Sequence, residues 1–201
     1  ELPSHGIRLA SASPELFLAR RGDRVWSSPI KGTAATADGF LAKDHAENIM
    51  IVDLVRNDLS RIAQKATVEV TELCGIHSFQ TVHQMVSTIE CTILEDKGIS
   101  DILRATFPMG SMTGAPKISA MKHIDRIELE GRGIYSGSIG YITPSGDFDF
   151  NVLIRSLFHN SKTEMLVANV GGAITSLSDA HEEYEECMLK ADAIVKAVSN
   201  K

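Results

Sequence analysis

Pro144-Ser145-Gly146-Asp147 lies between two runs of strand-forming residues, 134–143 and 148–158, and this arrangement predicts a β-hairpin. A hairpin commits part of the chain to antiparallel pairing. Alternating polar and apolar residues predict further strands at Ile7–Ala12, Glu15–Ala19 and Arg24–Ser27, with Arg21-Gly22-Asp23 as a turn. Strands are also expected at Thr67–Glu72, near Val82–Leu94, and at Glu164–Val170, where Gly171-Gly172 ends the run. Long helical patterns cover about 38–64 and Ser178 to about Val198, the latter capped by Ser178 or Asp179. Ser100 can cap a short helix through Thr106, and Pro116 can start another to about Leu129. Strands interleaved with helices around a hairpin predict an α+β fold with mixed or antiparallel sheets, not a doubly wound one. No repeat, low-complexity tract or long linker interrupts the sequence, so residues 1–201 read as one domain.

The formal net charge of −6 excludes a general affinity for nucleic acid, which needs a basic footprint. No apolar run approaches the roughly 20 residues that span a bilayer. The start, Glu-Leu-Pro-Ser-His, has none of the features of a signal peptide. Three scattered cysteines, Cys74, Cys91 and Cys187, fit neither a disulfide framework nor a Cys-based zinc site. A reducing cytoplasm is therefore the expected compartment.

The two long helices concentrate the candidate chemistry. With residues about 100° apart, Tyr184, Cys187, Met188, Ala191, Val195 and Val198 share one face of the last helix. Glu183, Glu186 and Lys190 border that face, which reads either as a solvated acidic ribbon with one Glu–Lys pair or as a ligand-binding edge. In the first helix, Asp44-His45-Ala46-Glu47-Asn48-Ile49-Met50-Ile51-Val52 is apolar nearly all round, so burial is expected. Glu47 falls between Ile51 and Leu54, with Asp44 one turn earlier. A buried carboxylate must be paired, protonated or bound to a cation. Carboxylate helices without a Cys or His cluster suit a hard cation such as Mg²⁺, and a salt bridge to Arg56 or Arg61 is the competing account.

Gly110-Ser111-Met112-Thr113-Gly114-Ala115-Pro116-Lys117 is not a nucleotide P-loop, because Pro116 occupies the place of the glycine before the lysine. What remains is a small-residue loop entering a helix, with backbone N–H groups free to hold an anion. Gly171-Gly172 can admit a ligand close to the backbone or simply form a tight turn. Arg155, near a strand end, can grip a carboxylate in a fork or lie on the surface. His83 reads as a packed strand histidine or a catalytic one. Lys31 sits in a loop in Ser-Pro-Ile-Lys-Gly-Thr, and would act as a nucleophile only if its amine were deprotonated.

Taken together, these stretches resemble the chorismate-binding enzymes, a family of anthranilate, aminodeoxychorismate, isochorismate and salicylate synthases. The matching segments are Ser-Ala-Ser-Pro-Glu-Leu-Phe (11–17), Pro-Ile-Lys-Gly-Thr (29–33) and Lys-Asp-His-Ala-Glu-Asn with Asp-Leu-Val-Arg-Asn-Asp-Leu (43–59). His83 with Val86-Ser87-Thr88, Phe-Pro-Met-Gly-Ser-Met-Thr-Gly-Ala-Pro-Lys (107–117) and Arg132-Gly133-Ile134-Tyr135-Ser136-Gly137 follow in family order. Phe150-Asn151, Ile154-Arg155, Gly171-Gly172-Ala173-Ile174 and Glu183-Tyr184-Glu185-Glu186 with Lys190 complete the set. The resemblance implies a layered sandwich with flanking helices, incomplete at its N-terminal side. It implies Mg²⁺ held mainly by Glu47 and Glu186, with Asp44 and Glu183 in support, clamping the ring carboxylate of chorismate. Gly171, Gly172 and Lys190 match residues that contact the same carboxylate, and Tyr135 and Arg155 match residues that bind the enolpyruvyl carboxylate. Ser111 and His83 match pocket residues, and His83 joins Lys31 and Glu15 in the expected catalytic set.

Lysine at position 31 is typical of the aminodeoxychorismate synthase branch, whereas anthranilate and isochorismate synthases typically carry alanine. The resemblance implies that Lys31 attacks C2 of chorismate while Glu15 protonates the departing C4 hydroxyl, after which ammonia adds at C4. It also implies a glutamine amidotransferase partner that supplies the ammonia, a separate lyase that completes 4-aminobenzoate for folate synthesis, and no nucleic-acid or membrane partner. The sister reaction, release of pyruvate to give anthranilate, and a non-catalytic binding fragment are the alternatives. Three positions depart from the family pattern: Ala173 replaces a third glycine, His45 a common arginine and Ser156 a common threonine. The match begins partway through the family's catalytic region, so folding with the missing part, or as an exchanged dimer, is expected.

Overall fold

The structure, a computed structural model, describes residues 3–80 and 82–199. The strands are β1 (Ile7–Ser11), β2 (Leu16–Arg21), β3 (Arg24–Ser28), β4 (Ile30–Ala34), β5 (Glu69–Ser78), β6 (His83–Thr92), β7 (Ser138–Ile142), β8 (Phe148–Val152), β9 (Ser156–Asn160) and β10 (Met165–Val167). The helices are α1 (Ala42–Ser60), α2 (Ile99–Thr106), α3 (Lys117–Ile127) and α4 (Ala180–Ser199). Short 3₁₀ turns occur at Pro3–His5 and Gly110–Met112. The chain divides into two compact units. The larger comprises Glu15–Gly131 and Ser136–Val152, and the smaller comprises Glu1–Pro14, Arg132–Tyr135 and Leu153–Lys201.

The larger unit is a seven-stranded sheet in which the pairings are antiparallel. β6 is its pivot. One edge of β6 pairs with β5, and the other is shared by β3 near Ile89–Thr92 and β4 near His83–Val86. β2, β8 and β7 then extend the sheet from β3. Gln84 to Ser87 are buried consecutively, which marks β6 as covered on both faces at that point. α1 packs on β6 through Ile51, Val52, Leu54, Val55 and Leu59, whose spacing keeps them on one side of the helix. Each such side chain contributes about 1.5–3 kcal/mol on full burial. Asn48, fully buried in the same interface, donates to the Met85 carbonyl at 3.4 Å and accepts from the Ser87 hydroxyl. A buried amide needs these partners, so they fix the register of α1 on the sheet.

Several boundaries differ from the expectations. The 148–158 run is not one strand but β8 and β9, which belong to different sheets and are separated by Leu153–Arg155. Arg155 adopts φ +48°, outside the extended region, and the run is broken there. Helix α1 starts at Ala42 instead of about residue 38, because the Asp44 carboxylate accepts the Leu41 backbone N–H at 2.8 Å and terminates the helix there. Its burial is one-sided, with Ile49 and Met50 exposed. Lys31 lies not in a loop but in β4, at an irregularity in its pairing with β6 between Ile30↔Val86 and Thr33↔Gln84.

In the smaller unit β9 pairs antiparallel with both β1 and β10. α4 is capped by Asp179, whose carboxylate accepts from the N–H groups of His181 and Glu182 at 2.9 and 3.1 Å. Its most buried side chain is Glu183, and Cys187, Lys190, Ala191 and Ile194 are half-buried. The expected apolar face is rotated outward, since Tyr184, Met188, Val195 and Val198 are exposed. No helix among the described residues is long and apolar enough to cross a membrane.

Candidate active site

In the larger unit, chemistry gathers around Glu15, the residue before β2. Its backbone carbonyl accepts the Val152 N–H at 3.0 Å, which anchors it between β2 and β8. The side chain is buried, at 7% exposure. Burial pushes its carboxyl above the ordinary value, opposed by a hydrogen bond from Ser111 and by the positive charge of Lys31. Glu15 thus feels two other expected site residues from separate segments, one through a hydrogen bond and one through its charge. A small cavity of about 20 Å³, partly open to solvent, adjoins it, lined among others by Glu15, Ser27, Asp58, Gly110 and Ser111.

Gly32 places Lys31. It has φ +84°, and a Cβ there would stand 3.1 Å from atoms of Phe40 and Asp44. β4 can therefore pass against the first turn of α1, where Asp44 and Glu47 are one turn apart. Glu47 has Lys43 at 3.9 Å, whereas Arg56 pairs with Asp53 at 2.9 Å instead of with Glu47. His83, at the start of β6 opposite Ala34 of β4, shares a hydrogen bond with the Ser78 hydroxyl at 2.8 Å.

The smaller unit gathers a second group around Gly171 and Gly172. A Cβ on Gly171 would lie 2.6 Å from the Tyr135 hydroxyl, and one on Gly172 would lie 3.0 Å from the Glu183 carboxylate. At both positions a neighbouring side chain presses on the backbone and leaves little room for a Cβ. Glu183 accepts from the Ser178 hydroxyl at 2.6 Å, and Lys190 bonds both Glu186 at 2.6 Å and the Gly171 carbonyl at 3.0 Å. Tyr135, Gly171, Gly172, Glu183, Glu186 and Lys190 thus form one cluster. Arg155 is exposed in the β8–β9 connection, and its own carbonyl accepts the Ala12 N–H at 3.2 Å.

The four acidic residues considered for Mg²⁺ fall two in each unit, and their donors are all carboxylate oxygens, the chemistry that a hard cation takes. Among the described residues, no group of three or more His, Cys, Asp or Glu side chains converges. Sequence reasoning overlooked Asp58 and Lys117, a buried ion pair at 2.5 Å that sits in two of the matched segments. The cue was present, since Asp58 lies on the apolar side of the α1 pattern, where an acid requires a partner.

A buried carboxyl that is hydrogen-bonded by a hydroxyl and lies in the field of an amine is a setting compatible with acid–base chemistry. The chain belongs to the chorismate binding enzyme family, whose model matches residues 2–196. It is 42% identical over 211 residues to the probable chloroplastic aminodeoxychorismate synthase of Oryza sativa subsp. japonica, covering 97% of this chain and 23% of that protein. It is 40% identical over 200 residues to aminodeoxychorismate synthase component 1 of Escherichia coli (strain K12), covering 94% and 44%. The crystal structure of anthranilate synthase component I from Streptococcus pneumoniae TIGR4 superposes with a TM-score of 0.79 at 34% identity, covering 94% of this chain and 44% of that one. The chain spans less than half the length of each of these proteins.

Proposed function

We propose that this chain carries the catalytic residues of an aminodeoxychorismate synthase, which converts chorismate and ammonia into 4-amino-4-deoxychorismate and water. The single observation that supports this reading is the meeting of Glu15, Ser111 and Lys31, in a chain about 40% identical to aminodeoxychorismate synthases. The raised carboxyl of Glu15 favours its protonated form, which suits a general acid. The Lys31 amine attacks C2 of chorismate, the ring double bonds shift, and the C4–oxygen bond breaks. Glu15 gives its proton to the departing hydroxyl, which leaves as water. Ammonia then adds at C4, the shift reverses, and the bond from C2 to Lys31 breaks. Glu15 takes up the proton that ammonia sheds. Holding both amine and acid beside the ring replaces encounters in solution with a fixed geometry.

Tyr135 and Arg155 would hold the enolpyruvyl carboxylate, and Gly171, Gly172 and Lys190 the ring carboxylate. His83 would border the reacting ring. Glu47 and Glu186, supported by Asp44 and Glu183, would hold Mg²⁺, which offsets negative charge on the ring carboxylate when bound. Ammonia would come from a glutamine amidotransferase subunit, and the product would feed a lyase step toward 4-aminobenzoate and folate. The three free cysteines suit a reducing compartment such as the cytoplasm. The catalytic part is taken as one domain over residues 1–201.

Incubation of the full-length gene product with chorismate, Mg²⁺ and ammonium tests the assignment. 4-Amino-4-deoxychorismate is the expected product. Anthranilate with pyruvate as the main products would assign the sister reaction, and absence of turnover would assign a binding role.

A further inference from the structure

Ser111, which hydrogen-bonds the Glu15 carboxyl, lies in a ten-residue loop, 107–116, and one cation closes the base of that loop. Lys117, the first residue of α3, sends its ammonium to the Asp58 carboxylate at 2.5 Å and to the carbonyl of Thr106, the last residue of α2, at 3.0 Å. The loop thus leaves from Thr106 and returns at Lys117, and both ends are tied to α1 through Asp58. Both charged side chains are largely buried, at 13% exposure for Lys117 and 6% for Asp58. Inside the loop, Met109 and Gly110 are buried, and a Cβ on Gly110 would lie 2.9 Å from Leu54 of α1. The Gly110–Met112 turn is therefore seated against α1, with Ser111 directed to Glu15. Asp58, Thr106, Gly110, Ser111 and Glu15 line one cavity, so the clamp and the acid share a wall.

We infer that Lys117, through its ion pair with Asp58, is a positioning residue that holds Ser111 on the Glu15 carboxyl. A buried ion pair is often no more stabilising than apolar replacements of equal volume, so geometry is the better account of why it is kept. The inference borrows from the proposed function only the role of Glu15 as acid. The groups acting on Glu15 include the charge of Lys31 in β4, the hydroxyl of Ser111 in the loop, and Asp58, which lines the same cavity. Removing Lys117 alone would strip the charge from Asp58's partner and alter Glu15 by electrostatics. Removing both charges together avoids that.

The decisive variant is Asp58→Leu/Lys117→Met in the full-length protein, alongside Ser111→Ala, the combination of all three, and the parent. Glu15 protonation is read directly by infrared difference spectroscopy with ¹³C-labelled glutamate, the band being assigned by its loss in Glu15→Gln. The hydrogen bond from Ser111 favours the ionised carboxyl, so its loss moves the titration upward. The double variant is expected to titrate higher by roughly one pH unit, as Ser111→Ala does, and the triple variant no higher still. kcat is expected to fall about 10- to 100-fold, with KM for chorismate within about twofold. An unmoved Glu15 titration in a folded double variant would overturn the inference, as would a shift that adds to that of Ser111→Ala. If the double variant does not fold, Asp58→Asn/Lys117→Met, which also removes both charges and the donor to Thr106, is read by the same two criteria. The titration decides the inference even if the protein proves to make anthranilate, whereas the product assay decides the reaction.

Discussion

Ser111 is hydrogen-bonded to the carboxyl of Glu15, although 95 residues of chain lie between them. The bond favours the ionised acid, and burial favours the neutral one. Burial is the larger effect, so Glu15 retains its proton to higher pH than an exposed glutamate does.

This balance has a consequence for Glu15→Gln. A group whose folded pKa is raised contributes stability that is fully present below its unfolded value and is lost as pH rises through the folded value. The parent should therefore lose stability relative to Glu15→Gln from the ordinary value near 4.5 upward. Thermal unfolding of both proteins across that range measures the difference, and a gap that is flat or widens in the parent's favour would contradict the burial account. Turnover of Glu15→Gln should fall by about 10²–10⁴-fold, the usual contribution of a general acid.

Lys31→Ala removes the proposed nucleophile without leaving a strained backbone, because β4 is held by its pairing with β6. Formation of 4-amino-4-deoxychorismate should stop or be rerouted to another chorismate product, as followed by chromatography. An unchanged rate of the same product in this variant would remove Lys31 from the mechanism.

Gly171→Ala places a methyl group 2.6 Å from the Tyr135 hydroxyl. Either the backbone or the phenol must yield, and both are proposed to touch substrate. KM for chorismate should rise by at least about tenfold, which corresponds to about 1.4 kcal/mol of binding. Steady-state kinetics provides the check. An unaltered KM would mean that neither Gly171 nor Tyr135 contacts the substrate.

Glu186 and Lys190, one turn apart on α4, form an ion pair at 2.6 Å. As a surface pair alone it would contribute at most about 0.5 kcal/mol, and Glu186→Gln would leave Mg²⁺ affinity as it was. If Glu186 is a ligand, calorimetric titration with Mg²⁺ should show at least tenfold weaker binding in the variant, and the metal dependence of turnover should shift in parallel. Equal affinity in parent and variant would return Glu186 to the surface.

The local rules read well where the local signal was decisive. Residue type narrowed the cap of α4 to Ser178 or Asp179, and the structure selects Asp179, whose carboxylate accepts two free helix N–H groups. The hairpin around Pro144–Asp147 was equally plain. By contrast, Arg155 was expected near the end of a single strand over 148–158, since nothing in its neighbours announces a φ of +48°. Lys31 read as a loop residue between proline and glycine, yet β6 offers it a partner strand more than 50 residues away. Pairing between distant segments is invisible to any window of sequence.

Lys31 and the carboxylates of α1 and α4 stood out in the sequence because their flanking residues form ordered motifs that point to the family. The α+β class followed from periodicity, which depends only on how side chains repeat along a helix or strand. Only the tertiary structure revealed which of these residues share an environment. It turned Glu183, not Tyr184, inward, and it set Asp58 and Lys117 together beneath the loop that brings Ser111 to Glu15. Burial and charge proximity are properties of assembled surfaces, so the protonation of Glu15 is decided by the fold and not by any residue beside it in the chain.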